Sequence, residues 1–223
     1  MNLTIFNGSP RLKKSNSTFV TDHFLSGYRK VLANGSVNVK YLAKQGTLAE
    51  NVEAFNKADH IIIIFPLYTD SMPGVVKEFF EHWKPNAESP AKSIGFIVQS
   101  GFPEAVHSTF VEKYLTKLVK RLGYNYLGCV VKGGVEGIQV MPAYMTKKTL
   151  QNFIRLGEHF ARHKKFVPEI VAELKGNMRM NTSRRLAFRF MKYIGLVDFY
   201  WNTNLKKHDA WEKRFDKPLL TKD

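Results

Sequence analysis

The sequence predicts a three-layer α/β sandwich: a five-stranded parallel sheet in the order 2-1-3-4-5, helices on both faces, and a helical C-terminal extension. Three observations carry that class. Four consecutive isoleucines open the longest apolar run, Ile61 to Tyr68, and a run without polar alternation marks a strand covered on both faces. Five apolar segments alternate with five segments of helical periodicity up to residue 163. Such alternation implies parallel strands joined by right-handed crossovers, and five strands in this length fit the order 2-1-3-4-5. After residue 163 the strand signals stop and basic residues crowd in.

The elements follow in order. Asn2 to Asn7 is apolar and β-branched and ends at Gly8, a first strand. Asn16 or Ser17 caps a helix reaching Ala33, with Phe19, Val20, Phe24 and Tyr28 at helical spacing. Val37 to Leu42 is the second strand, Leu48 to Lys57 a short helix, and Asp59 to Phe65 the third strand. Gly74 to Trp83 is a helix, Ser93 to Gln99 the fourth strand, and Glu104 to Leu122 the next helix. Asn125 to Lys132 is the fifth strand and Lys147 to His163 the fifth helix. Pro168 then opens a polar helix, and Thr182 to Ile194 is a basic one. Residues 1–163 are expected to form the ligand-binding domain, and 164–223 a helical appendage rather than a second domain.

Charge narrows the function. Lys and Arg number 34 against 19 Asp and Glu, a net of +15 over 223 residues; residues 164–223 alone hold 14 against 7. That balance suits anionic partners: phosphorylated small molecules, nucleic acid or an anionic membrane surface. It disfavours an electron carrier that docks through an acidic face. A single cysteine, Cys129, excludes an intramolecular disulfide framework and a Cys-cluster metal site. The longest apolar run falls far short of the ~20 residues a spanning helix needs. The opening MNLTIFNGSP lacks a basic n-region. A cytoplasmic protein is expected.

In doubly wound sheets, ligands bind beyond the carboxyl ends of the strands, where strand order reverses. The first loop there is Gly8-Ser9-Pro10-Arg11-Leu12-Lys13-Lys14-Ser15-Asn16-Ser17-Thr18. Hydroxyls, an arginine, an amide and the free N–H groups of a helix start converge, as a phosphate requires. The pattern is neither a Walker A nor GxGxxG; an ordinary capped turn is the alternative. The second loop, Pro66-Leu67-Tyr68-Thr69-Asp70-Ser71-Met72-Pro73-Gly74, offers an aromatic and small polar groups to a flat ring, or is a Pro-ended turn with a buried Tyr. Seating a phosphate on one loop and a ring on the other describes a mononucleotide at the switch point. Gln99-Ser100-Gly101-Phe102-Pro103 and Gly133-Gly134-Val135-Glu136-Gly137 line the same cleft or are plain turns.

These stretches resemble the NAD(P)H-dependent FMN reductase and flavodoxin-like oxidoreductase family, in the bacterial branch that begins NGSPR…KSNS/T. The matching segments are Asn7 to Ser17, Phe65 to Gly74, QSGFPEAVH from Gln99, KGGVEGI from Lys132, and the tail Phe199 to Pro218. The resemblance implies a flavodoxin-like fold and bound FMN. It places Ser9, Arg11, Asn16, Ser17 and Thr18 on the phosphate. Pro66, Leu67, Tyr68, Thr69, Asp70 and Ser71 would hold the isoalloxazine, with Ser100 and Gly101 on its far side. Many relatives carry a cysteine-rich insert between strands two and three. Tyr41 to Asp59 holds no cysteine here, so a cluster is excluded.

Other features carry less. His159 and His163 stand at i, i+4 among bases, and read as solvated. His107 is a helix first-turn residue or a proton donor facing the cleft. Cys129 reads as an inert buried thiol, and Trp83, Trp201 and Trp211 as packing residues. Arg184, Arg185, Arg189 and Lys192, beside Leu186, Phe188, Phe190 and Met191, suit a helix packed on the core or a partner subunit, a membrane-surface helix, or nucleic-acid binding without a recognised motif. The aromatics Phe188, Phe190, Tyr193, Phe199, Tyr200 and Trp201 favour assembly, as a homodimer, over lipid attachment.

Together these readings describe an FMN-dependent oxidoreductase that takes hydride from NAD(P)H and passes it, or electrons, to a small-molecule acceptor. No side chain is assigned as obligate acid or base, and no metal or nucleic acid is expected. The alternatives are a flavodoxin-type carrier, and a membrane- or nucleic-acid-associated protein on the same fold without turnover.

Overall fold

A computed structural model describes residues 2–83 and 92–217, apart from the side chain of Tyr200. Pro218, the last residue of the tail resemblance, lies outside them. The strands are β1 (Asn2–Asn7), β2 (Ser36–Tyr41), β3 (His60–Pro66), β4 (Ser93–Gln99) and β5 (Asn125–Lys132). They pair in parallel in the order β2-β1-β3-β4-β5, the order expected. Helices α1 (Asn16–Val31), α2 (Leu48–Lys57), α3 (Gly74–His82), α4 (Thr109–Arg121), α5 (Ala143–His163) and α6 (Pro168–Lys175) follow in the same compact unit.

The isoleucine run shows why β3 is central. Ile61 and Ile63 join one core, with Phe6, Phe55, Phe65, Phe79, Phe96 and Leu115. Ile62 and Ile64 join the other, with Ile5, Val20, Phe24, Phe153 and Phe160. Period-two alternation thus sends successive apolar side chains into two separate layers, and both layers must be dry for the run to be continuous. Helix α1 lies against α5 at glycines. A Cβ on Gly27 would sit 1.8 Å from the Ile154 carbonyl oxygen, and one on Gly157 1.9 Å from that of Phe24. Only glycine permits backbones this close.

Several boundaries differ from expectation for physical reasons. The cap of α1 is Ser15, whose hydroxyl accepts from the Thr18 N–H, rather than Asn16 or Ser17. The helix expected from Glu104 begins instead with a 3₁₀ turn, Ala105–Ser108, before α4. Helix α5 starts at Ala143, immediately after Pro142, because proline is tolerated just at a helix start. The compact unit runs past the boundary expected at 163, to Arg179. Phe166, Ile170 and Leu174 are buried in the second core, so α6 belongs to the sandwich.

The remaining unit, 180–223, contains α7 (Thr182–Tyr193) and α8 (Phe199–Lys207). Helix α8 carried no clear sequence signal beyond its aromatics. No described helix is long and apolar enough to cross a membrane.

Candidate functional site

The strand order reverses at β1 and β3. Helix α1, after β1, contributes to one core and α3, after β3, to the other. Their connections diverge to opposite faces, and a crevice opens at the carboxyl ends. Ser9, Arg11, Asn16, Pro66, Leu67, Tyr68, Gln99, Ser100, Gly101 and Glu136 line it.

The first loop is built around Asn7. Its side-chain oxygen accepts from the Ser9 N–H at 2.9 Å, and its amide donates to the Thr18 hydroxyl at 2.9 Å. The Gly8 N–H donates to the Ile64 carbonyl at 2.8 Å, fastening the loop to β3. A Cβ on Gly8 would lie 2.2 Å from Val76 Cγ2, so the glycine lets α3 close against the loop. The Ser15 and Thr18 hydroxyls both donate to the Leu12 carbonyl, at 2.6 and 2.9 Å, and hold Leu12 at a φ of 51°. The amides of Asn16 and Ser17 open α1 and have no intrahelical acceptor.

A second set of bonds ties this loop to the segment after β5. Asn16 Nδ2 donates to the Val135 carbonyl at 2.9 Å, and Asn16 Oδ1 accepts from Gln139 Nε2 at 2.8 Å. Arg11 Nη1 lies 3.6 Å from Glu136 Oε1. The loops after β4 and β5 are joined in turn: the Ser100 N–H donates to the Lys132 carbonyl, and the Val135 N–H to the Ser100 carbonyl, both at 3.0 Å.

The second loop carries strain. Tyr68 and Ser71 exchange two backbone hydrogen bonds, at 2.9 and 3.0 Å. Between them Thr69 and Asp70 take φ values of 49° and 58°. This is a two-residue turn that ordinarily requires Asn and Gly. A β-branched residue at positive φ is uncommon, and such strain clusters at ligand clamps.

The structure brings Ser9, Arg11, Asn16, Pro66, Leu67, Tyr68, Ser100 and Gly101 together. It does not bring the others to the cleft wall. The Thr18 hydroxyl is spent inside the first loop. Ser17 is fully buried, with a hydroxyl that has no hydrogen-bond partner. Thr69, Asp70 and Ser71 form the strained turn beyond Tyr68. Gln99 and Glu136, expected at the cleft as members of the loops after β4 and β5, line it, and Ser15 holds the first loop; its position before Asn16 in KSNS is the available signal. His107 stacks on Phe102, ring centroids 4.4 Å apart. Its nitrogens lie 3.9 Å from the Asp70 and Glu104 carboxylates. Burial pushes the Cys129 thiol up, which keeps it protonated and unreactive.

The family described as flavodoxin-like fold matches residues 1–152. The chain belongs to that family. No curated protein matches it. Solved structures agree on the flavodoxin-like fold. An NAD(P)H:quinone oxidoreductase from Methanothermobacter marburgensis superposes with a TM-score of 0.57 at 17% identity, covering 73% of this chain and 97% of that one. An FMN-dependent NADH-azoreductase from Bacillus anthracis, solved in complex with FMN, gives 0.55 at 18%, covering 74% and 99%. An NADPH-quinone reductase from P. pentosaceus gives 0.55 at 16%, covering 72% and 98%. The sandwich is what they share.

Proposed function

We propose that this chain is an FMN-dependent oxidoreductase that draws on NAD(P)H and reduces a small acceptor. The observation that carries the reading is the convergence, at the β1/β3 crevice, of one donor-rich loop with one aromatic, strained loop. The cleft suits a mononucleotide. Ser9, Arg11, Asn16 and the first amides of α1 supply donors to a phosphate. The Glu136 carboxylate is the one discordant group, and Arg11 pairs with it. Names of neighbours in the fold, two quinone reductases and an azoreductase with FMN, point the same way.

When bound, FMN supplies the hydride and electron chemistry. The chain's own residues do the rest. Arg11, Asn16 and the α1 amides anchor an anionic end and so fix register. Pro66, Leu67 and Tyr68 give a flat ring an apolar wall. Ser100 and Gly101 present backbone on the opposite side, where a Cβ on Gly101 would sit 3.3 Å from Glu136. His107, held between two carboxylates at the rim, is placed to orient an acceptor.

A homodimer and a cytoplasmic setting belong to this reading. Exposed Tyr68 and Phe102 at the rim are apolar surface that a second copy would cover, which sedimentation measures directly. The functional test is simple. Purified protein should show flavin absorbance or gain it with FMN, bind FAD poorly, and oxidise NAD(P)H when given a quinone. Failure to bind FMN even at high micromolar concentration refutes the proposal; FMN binding without NAD(P)H turnover leaves a carrier instead.

A further inference from the structure

Helix α7 is amphipathic, and none of its twelve side chains is buried. Leu186, Phe190 and Tyr193 follow one another at i, i+4, i+7, with Ala187, Met191 and Ile194 in the adjoining row. Leu186 is 67% exposed, Phe190 63% and Tyr193 89%. Arg185, Arg189 and Lys192 form a row at the same spacing on the other flank of Leu186, Phe190 and Tyr193, and Arg184 stands in the first turn. The helix contains no acidic residue. In the same unit, Phe199 on α8 is also exposed, at 67%, and Lys206 and Lys207 close that helix.

We propose that α7 docks on an anionic lipid surface, lying in the plane of the interface. Burying the apolar row would take several large side chains out of water at once, each worth a substantial transfer free energy. The basic row flanks that face instead of extending it. Arginine and lysine stems run along apolar surface while their heads reach outward, so at an interface both rows are satisfied together among acidic headgroups. A nucleic-acid strand would engage the basic row and leave Leu186 and Phe190 in water. A second copy would bury the apolar row but bring four more cations to a helix that has no anion, on a chain already at +15. Charge complementarity therefore selects the lipid, against the expectation from composition that these aromatics serve assembly. The inference is independent of the flavin site.

The test uses the full chain in co-flotation with phosphatidylcholine vesicles, with and without phosphatidylserine, at physiological salt. The protein should float only with phosphatidylserine present. Arg185→Gln with Arg189→Gln should weaken binding about 30-fold, since each surface base contributes about fivefold. Leu186→Ser with Phe190→Ser should weaken it more than tenfold. Both pairs are exposed, so circular dichroism should be unchanged. No flotation, equal flotation on neutral lipid, or wild-type flotation by both variants overturns the proposal. So does self-association without flotation that is abolished by Leu186→Ser with Phe190→Ser, which gives the face to a second copy. Oligonucleotide binding without flotation, lost only in the arginine variant, overturns it in favour of nucleic acid.

Discussion

Replacing Asn16 with Ala separates two jobs that one side chain performs. Its Nδ2 holds the Val135 carbonyl at 2.9 Å and its Oδ1 holds Gln139 at 2.8 Å. Each neutral bond contributes about 1 kcal/mol, so the variant should lose about 2 kcal/mol of the tie between the first loop and the segment after β5. The amide has a second N–H, and a bond from it to a phosphate dianion would contribute about 1.5–3 kcal/mol. FMN affinity should therefore fall roughly 10- to 150-fold. Gln139→Ala removes one tie and leaves the Asn16 amide, so it should cost FMN no more than about fivefold. Arg11→Ala should do less than Asn16→Ala, because that guanidinium is 58% exposed and already faces Glu136. The assay is fluorescence titration of each variant with FMN and with riboflavin, which lacks the phosphate. Riboflavin affinity should barely change between wild type and Asn16→Ala. FMN binding within twofold of wild type refutes the phosphate assignment. An equal loss for riboflavin refutes it too, leaving Asn16 as a brace between loops.

Three further outcomes are expected. Gly157→Ala forces a methyl to within 1.9 Å of the Phe24 carbonyl oxygen; overpacking against backbone should cost about 3 kcal/mol and lower Tm by roughly 6–12 °C, read by thermal denaturation. Burial pushes the Tyr126 hydroxyl up to about 12 from 10.0. Its folded value exceeds its unfolded one, so its contribution is complete below pH 10 and is lost as pH rises towards 12. Burial also raises Tyr28 and Tyr124, so phenolate absorbance should show a late-titrating group of tyrosines, and Tyr126→Phe should remove one of them and lessen the alkaline loss of stability. Burial, with Lys164 nearby, pulls His60 below its ordinary 6.5. The folded protein then binds fewer protons there, so stability is full above pH 6.5 and falls as pH drops through the lowered value. His60→Phe, which keeps the edge contact to Phe160, should make urea stability flatter on the acid side.

The sheet was legible because its signal is local and repeated. Four isoleucines in a row leave no polar face, so Ile61–Ile64 announce a doubly covered strand and, with alternation, the strand order. What escaped was set by partners far along the chain. Ser15 caps α1 in place of Asn16 because Asn7 draws Ser15 and Thr18 into one network around Leu12. Phe166, Ile170 and Leu174 are only a weak amphipathic pattern in sequence. Their burial follows from the α5–α6 turn, where Lys164 takes the left-handed conformation and returns the chain to the second core.

The candidate site divides along the same line. Ser9, Arg11, Asn16, Pro66, Leu67, Tyr68, Ser100 and Gly101 were readable because each follows a strand whose carboxyl end is fixed by topology. The loop of Glu136 was expected at the cleft, but its approach to Arg11, and that of Gln139 to Asn16, was not legible, because each spans well over a hundred residues of chain. That approach changes the chemistry of the cleft. A donor-rich loop alone would be a generic anion trap, but a carboxylate beside its arginine screens the positive charge. On the proposed reading, recognition then rests on directed donors, Ser9, Asn16 and the α1 amides, more than on net charge. A ligand that presents a phosphate while its ring lies against Tyr68 satisfies those donors in register, and a bare inorganic anion has no such second anchor. The +15 of the whole chain is thus not concentrated at the cleft. Helix α7 is one acid-free stretch that carries part of it, four bases in twelve residues with an apolar row beside them.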